Sequence, residues 1–261
     1  MSRDHAIAKT WITLFDELAR WEDLGLKARL WWRDDDAQKP TSALDRLIEL
    51  SDLHQVPVLL AVIPHGTEPD LAAYVTTSSA PLWVAQHGIS HANNAPADTK
   101  KTELHDSMLA NPAFAATIKS EYDRLADQFG AKLLPVMVAP WNRIGPKIAG
   151  SLKGWGFDGL STDGPPEPAG RGLVQVNTHI DLVNWGADAA FIGADRAVSA
   201  MADNLSQRRQ VPGRQSEVTG ILTHHLVHDR ALWAFLGHLF GLTATHPAIE
   251  WVSPHHLFRP A

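Results

Sequence analysis

The 261-residue chain carries 23 Lys and Arg against 29 Asp and Glu, a net charge of −6, which argues against nucleic acid or an anionic membrane as its main partner. A hydrophobic fraction of 44% with ten tryptophans supplies a large core and excludes a disordered chain, while the absence of cysteine excludes disulfides, thiolate nucleophiles and cysteine metal sites. Residues 1–9 hold charges without the apolar segment of a signal peptide, and no uncharged apolar run approaches the roughly 18–20 residues that span a bilayer, so a cytoplasmic location is expected.

In chain order, apolar residues at Ile7, Trp11, Leu14, Phe15, Leu18 and Trp21 predict a helix over 5–24, with Gly25 at its C-terminal cap. Residues 27–32 read as a short strand that runs into Arg33 and the triplet Asp34, Asp35 and Asp36. Thr41 or Ser42 caps a second helix through Leu44, Leu47, Ile48 and Leu53. The nearly continuous apolar run 56–63 suits a strand buried on both faces. A strand over 82–85 leads into His87, and the polar stretch 93–102 reads as a long loop. A helix over 112–129 places Ile118, Tyr122, Leu125 and Phe129 on one face. Then come a strand over 133–139, a helix through Ile148, Leu152 and Trp155, and strands over 157–161 and 173–178. A Pro/Gly-rich loop, 164–172, separates the last two. A helix over 190–205, a strand over 218–223, a helix over 232–240 and a strand over 249–253 complete the chain.

Seven or eight short apolar strands alternating with amphipathic helices imply parallel strands joined by helical crossovers. A single (β/α) barrel over 1–261 fits best, and a doubly wound open sheet is the competing arrangement. No linker, internal repeat or low-complexity tract divides the chain.

The polar residues gather at the C-terminal ends of these strands. Strand one ends in the aspartate triplet, strand two in Pro64 and His65, and strand three in His87 with His91 behind it. Strand four ends in Pro140, Trp141, Asn142 and Arg143, and strand five in Ser161, Thr162 and Asp163. Strand six ends in His179 and Asp181, strand seven in His224 and His225. In a barrel these ends converge on one mouth, where barrel enzymes build their sites. Three adjacent carboxylates repel one another unless a cation offsets them, and a carboxylate with two imidazoles is a ready set of ligands for a divalent metal.

At these segments the chain resembles the polysaccharide deacetylase family (carbohydrate esterase family 4, the NodB-homology fold). The resemblance implies a distorted (β/α) barrel that removes acetyl groups from N-acetyl sugars with a divalent metal, usually zinc. In that family the first motif ends in two aspartates, a general base and a metal ligand. Asp35 and Asp36 match them, and a slip to Asp34 and Asp35 stays open. The family's histidine pair, both metal ligands, corresponds to His87-Gly88-Ile89-Ser90-His91. Its late leucine-x-histidine corresponds to Leu222-Thr223-His224, which implies that Leu222 lines the acyl pocket and that His224 is the general acid, with His225 as the fallback.

The chain departs from the family at the third motif, where an arginine that orients the base should precede a proline and an aromatic residue. Val138-Ala139-Pro140-Trp141-Asn142-Arg143 has none there, which leaves Arg143 or Arg33 to serve in its place. A backbone N–H near Trp141 or Asn142 would complete an oxyanion hole, and the Trp141 ring would pack against a sugar face. His179 and Asp181, two apart on a strand, would point the same way as an orienting pair or as substrate contacts, and Asp163 would orient His224. The expected activity is metal-dependent removal of an acyl group, acetyl above all, from an N-acylated sugar or a related small amide. Its partner is that carbohydrate or small molecule. Ligand type does not separate zinc from cobalt, nickel or manganese, nor does the sequence separate amide from ester substrates or define an oligomeric state. Two other readings remain: a catalytically silent barrel that binds a sugar, and a non-haem iron oxygenase using the same two histidines and carboxylate.

Overall fold

In the computed structural model, which describes residues 3–166, 172–186 and 188–258, α1 (Arg3–Asp23) leads into β1 (Ala28–Ala37), α2 (Ser42–His54) and β2 (Val58–Val62). There follow α3 (Pro69–Thr77), β3 (Leu82–His87), α4 (Phe114–Phe129), β4 (Leu133–Val138), α5 (Pro146–Ser151) and β5 (Gly159–Ser161). Four two-residue strands come next: β6 (Val174–Gln175), β7 (Ile180–Asp181), β8 (Val183–Asn184) and β9 (Ala190–Phe191). The chain continues through α6 (Ala194–Gln210), β10 (Val218–Thr223), α7 (Arg230–Thr243), β11 (Ile249–Trp251) and α8 (Pro254–Phe258).

The sheet runs β6-β5-β4-β3-β2-β1-β10-β7, with β11 also on β1, and every pairing in it is parallel. One extended segment, 174–182, closes it into a distorted barrel. The Val174, Val176 and Thr178 N–H groups donate to the carbonyls of Asp158, Leu160 and Thr162 on one side. The His179 and Leu182 N–H groups donate to those of Gly220 and Leu222 on the other. The predicted strand over 173–178 is therefore the first half of a longer strand that changes partner midway.

Alternation along β1 separates two cores. Trp31 turns into the barrel with Leu59, Ala61, Ala85, Leu134, Val136, Val138 and Phe258 of α8. Leu30 and Trp32 face the helix layer, where Leu14, Leu18, Leu47, Leu236 and Phe240 pack. The Trp31 ring needs the glycine at 220. A Cβ there would lie 2.4 Å from Trp31 Nε1 and 2.6 Å from Asn177 O, the acceptor of that indole N–H. Thr41 caps α2, its Oγ1 accepting the Leu44 N–H.

Several boundaries differ from the sequence reading. The aspartates lie inside β1 rather than beyond it, since the strand continues to Ala37. The predicted helix over 190–205 begins at Ala194, because residues 190–191 pair with β8 as an antiparallel hairpin. The short helices α3 and α8 had no helical periodicity long enough to signal them. Of the predicted loop 164–172, residues 167–171 lie outside the described residues. Among the described residues no helix is long and apolar enough to cross a membrane.

Candidate active site

Period-two alternation on β1 puts Arg33 and Asp35 on the inner face with Trp31, and Asp34 on the outer face with Trp32. Continued strictly, it would send Asp36 outward as well. The pairing of β1 with β2 instead shifts register between Asp34 and Ala37, and Asp36 adopts φ +74°. This bulge swings the Asp36 carboxylate to the rim, beside the histidines that follow β3. A cleft of about 310 Å³ opens there, lined by Asp35, Asp36, His87, His91, Trp141, Asn142, Arg143, Asp163, Asp181, Trp185 and His224.

Asp36, His87 and His91 bring one potential ligand atom each to within 4.8 Å of one another. Both imidazole Nε2 atoms face Asp36 Oδ1, at 3.3 Å from His87 and 3.5 Å from His91. His87 Nδ1 lies 3.1 Å from Val138 O, which can only accept, so Nδ1 carries the hydrogen and Nε2 presents a lone pair. Asp36 Oδ1 is buried without a hydrogen-bond donor. A carboxylate and an imidazole lone pair turned toward one point fit a divalent cation, with the His87 tautomer set from behind in the way metal-binding histidines require. Burial alone would lower the His87 imidazole and raise the Asp36 carboxyl. The Asp35 charge and the nearby Asp36 carboxylate raise His87 overall, while His87, His224 and His91 hold Asp36 well below the usual carboxylate range. Burial, reinforced by the neighbouring His87 charge, lowers His91.

Asp35 is gripped by Arg33. The fully buried guanidinium places Nε 2.9 Å from Oδ1 and donates from Nη2 to Oδ2 at 3.0 Å. Its other N–H bonds reach across the barrel to Ser161 Oγ, Thr162 O and Asn142 Oδ1. Of the two arginines open from the sequence, Arg33 is thus the one on Asp35, whereas Arg143 lines the cleft and donates to Lys101 O. His224 Nε2 stands 4.0 Å from Asp35 Oδ2 on the far wall, with Trp185 edge-on at 4.6 Å. Trp141 packs on His91 at 4.3 Å, and Trp141 and Asn142 hold consecutive φ values of +53° and +58°. Two non-glycine residues in that region are costly, of order 1–3 kcal/mol each, and such strain gathers at functional sites.

Four predicted site residues do not line the cleft. Asp34 and His225 form a buried pair on the outer face, Nδ1 to Oδ1 at 2.5 Å, and Asp34 Oδ2 also accepts from Thr223 Oγ1 and the His225 N–H. Burial opposes both charges, yet each is favoured by the other, Asp34 lowered and His225 raised. His225 therefore pairs with Asp34 on the outer face of β1 and does not line the cleft. Leu222 is buried on β10, level with Arg33 and Asp181 across the sheet. His179 and Asp181 line different pockets. The His179 ring accepts the Gly220 N–H and meets Arg208, lining a different pocket with Arg29 and Glu217. Asp181 reaches the rim, where accepting the Val183 N–H and the Trp185 indole turns it to the cleft. Burial raises the Asp181 carboxyl despite the opposing His224 charge. Asp163 lines the cleft without a hydrogen bond to His224 among the described residues, and Asp181 is the carboxylate that shares the surroundings of His224.

Two residues escaped the sequence reading. Trp185, 53% exposed, was hidden in a stretch without helical or strand signal. Glu103, 1% exposed, sits at the end of the polar stretch read as a loop, and its carboxylate binds the backbone around His91. A buried glutamate has no local signature.

No protein-family model matches the chain, and no curated protein matches it by sequence. Solved structures do. A protein assigned as a polysaccharide deacetylase from Mycobacterium smegmatis is similar at 18% identity and TM-score 0.57, covering 88% of this chain and 87% of its own. A family 4 carbohydrate esterase from Streptomyces lividans, in complex with acetate, is similar at 13% identity and TM-score 0.55, covering 90% and 98%. A family 4 acetyl xylan esterase from Clostridium thermocellum, in complex with cobalt, is similar at 11% identity and TM-score 0.50, covering 88% and 89%. The chain thus has the fold of the polysaccharide deacetylases and family 4 carbohydrate esterases, over about nine-tenths of its length.

Proposed function

We propose that this protein is a metal-dependent deacylase that hydrolyses an N-acyl bond, an acetamide above all, in a sugar or a related small amide. The observation that carries the reading is one constellation. Asp35, gripped by Arg33, stands beside the Asp36–His87–His91 cluster and faces His224 across the cleft. The acetate held by the Streptomyces lividans esterase and the cobalt held by the Clostridium thermocellum esterase support an acyl substrate and a cation on this fold.

Amide hydrolysis needs an activated water, a polarised carbonyl and a protonated leaving nitrogen. A divalent cation, zinc in the first place, held by Asp36, His87 and His91 would acidify a water molecule and polarise the substrate carbonyl. Asp35 is the base that takes the water proton. Arg33 holds that carboxylate in place through Nε and Nη2, the task that falls to an arginine of the third motif in the family the chain resembles. His224 gives a proton to the departing nitrogen. The Asn142 N–H already donates to Ala139 O, so the Trp141 N–H is the backbone donor left to stabilise charge on the carbonyl oxygen. Trp141 and Trp185 offer flat apolar faces for a sugar ring. The Arg33–Asp35 pair supports a catalytic site over a catalytically silent, sugar-binding barrel.

Acetate release from N-acetylated sugars and small acetamides by metal-loaded protein tests the reading. Asp35→Asn should retain the metal and lose about 10²- to 10⁴-fold in rate, the usual contribution of a general base. Full activity in Asp35→Asn with full metal occupancy would overturn it.

A further inference from the structure

We propose that Glu103 is the positioning residue of the metal centre, a buried carboxylate around which the loop from His87 to His91 is folded. This rests on the proposed metal site. Two histidines four apart usually share a helix face, where backbone hydrogen bonds hold them in register. Here β3 ends at His87, Gly88 turns the chain at φ +60°, and His91 sits at φ +56°. No helix or strand supports residues 88–92.

Their N–H groups converge instead on Glu103. Its Oε2 accepts from Ile89 N at 3.1 Å, and its Oε1 from Ser90 N at 2.7 Å, Ser90 Oγ at 3.1 Å and Ala92 N at 3.4 Å. Such a nest of N–H groups neutralises a buried anion, and among the described residues no cationic side chain pairs with Glu103. The arrangement also explains Gly88, since a Cβ there would fall 1.9 Å from Glu103 Oε2 and 2.5 Å from Pro140 Cγ.

The stretch 93–102 returns the chain to this point. Asn94 N donates to Thr102 O, Thr102 N to Asn93 Oδ1, and Asn94 Nδ2 to Glu103 O. On the outer side of the loop, the Gly88 and Ile89 carbonyls accept from Gln86 Nε2 and His65 N. Glu103 thereby does for His91 what regular secondary structure does for His87. It fixes where the second imidazole stands relative to Asp36.

The test compares wild type, Glu103→Gln and Ser90→Ala in two measurements: zinc affinity by chelator competition, and amide hydrogen exchange across 88–92. Glu103→Gln keeps the size of the side chain but turns an amide NH₂ against backbone donors. It should weaken zinc binding about 10- to 100-fold, as loss of a ligand-orienting partner does, and speed exchange of the Ile89, Ser90 and Ala92 amides. Ser90→Ala removes one hydroxyl donor and should give a smaller loss of the same kind. Unchanged zinc affinity in folded Glu103→Gln, or unchanged exchange across 88–92, would overturn the inference. Failure of the wild type to bind zinc would instead overturn the proposed metal site, while the exchange result still decides the role of Glu103 in the loop.

Discussion

Arg33 and Asp35 are two residues apart on one face of β1, so a single strand supplies both halves of a buried ion pair. Removing one partner leaves the other charge desolvated and unpaired, a loss of roughly 3–5 kcal/mol. Arg33→Met should destabilise the fold by that order in urea titration, and Arg33→Met with Asp35→Asn should recover much of it. Additive losses in the double variant would show that the pair is not coupled. His179 carries a pH dependence of its own. Burial, reinforced by Arg208, lowers its imidazole to about 4 from an ordinary 6.5. The unfolded chain therefore takes up that proton first. The His179 contribution to stability should be fully present above about 6.5 and be lost as pH drops toward 4, with no further change below. His228, also lowered to about 4 by burial, adds a slope of the same sign. Urea midpoints between these limits should fall less steeply in His179→Gln, and an unchanged slope would assign the effect elsewhere.

At the scale of elements, the site depends on departures from regular geometry. Ideal alternation would have turned Asp36 away from the mouth, and the bulge in β1 brings it back. The closing segment 174–182 likewise changes partners between Thr178 and His179, so no single pairing explains where its side chains point. The fit of β10 against β1 and that segment is equally specific. Gly220→Ala should force a Cβ into Trp31 and Asn177, with an overpacking cost of about 1–3 kcal/mol. Thermal unfolding should occur several degrees lower, and an unshifted midpoint would mean that the barrel interior is looser than these contacts imply. Strand and helix positions were largely readable from apolar periodicity. The short helices, the bulge and the two-residue hairpin strands were not, because each is held by tertiary contacts rather than by its own composition.

At the scale of the whole molecule, the proposed cation would join three parts of the chain: β1 through Asp36, β3 through His87 and the following loop through His91. A ligand that binds only the folded form stabilises it by about 2.7 kcal/mol at a hundred times its dissociation constant. Zinc at that excess should raise the unfolding temperature by roughly 5–10 °C for a chain of this size. The rise should vanish on chelation and in His91→Ala, and an equal rise in that variant would place the cation elsewhere.

The amino-acid sequence by itself determined the alternation of buried strands with amphipathic helices, and with it a barrel whose polar residues collect at one mouth. It also determined the candidates, since Asp35, Asp36, His87, His91 and His224 all line one cleft. Only the tertiary structure decided how the polar side chains are placed and paired. It turned Asp34 and His225 outward as a pair, put Arg33 rather than Arg143 on Asp35, separated His179 from Asp181, and revealed Glu103 beneath the histidine loop. The physical reason is common to all four. Apolar periodicity is local and survives in a linear string. The direction of a polar side chain at the barrel rim depends on bulges and on partners brought close only by folding.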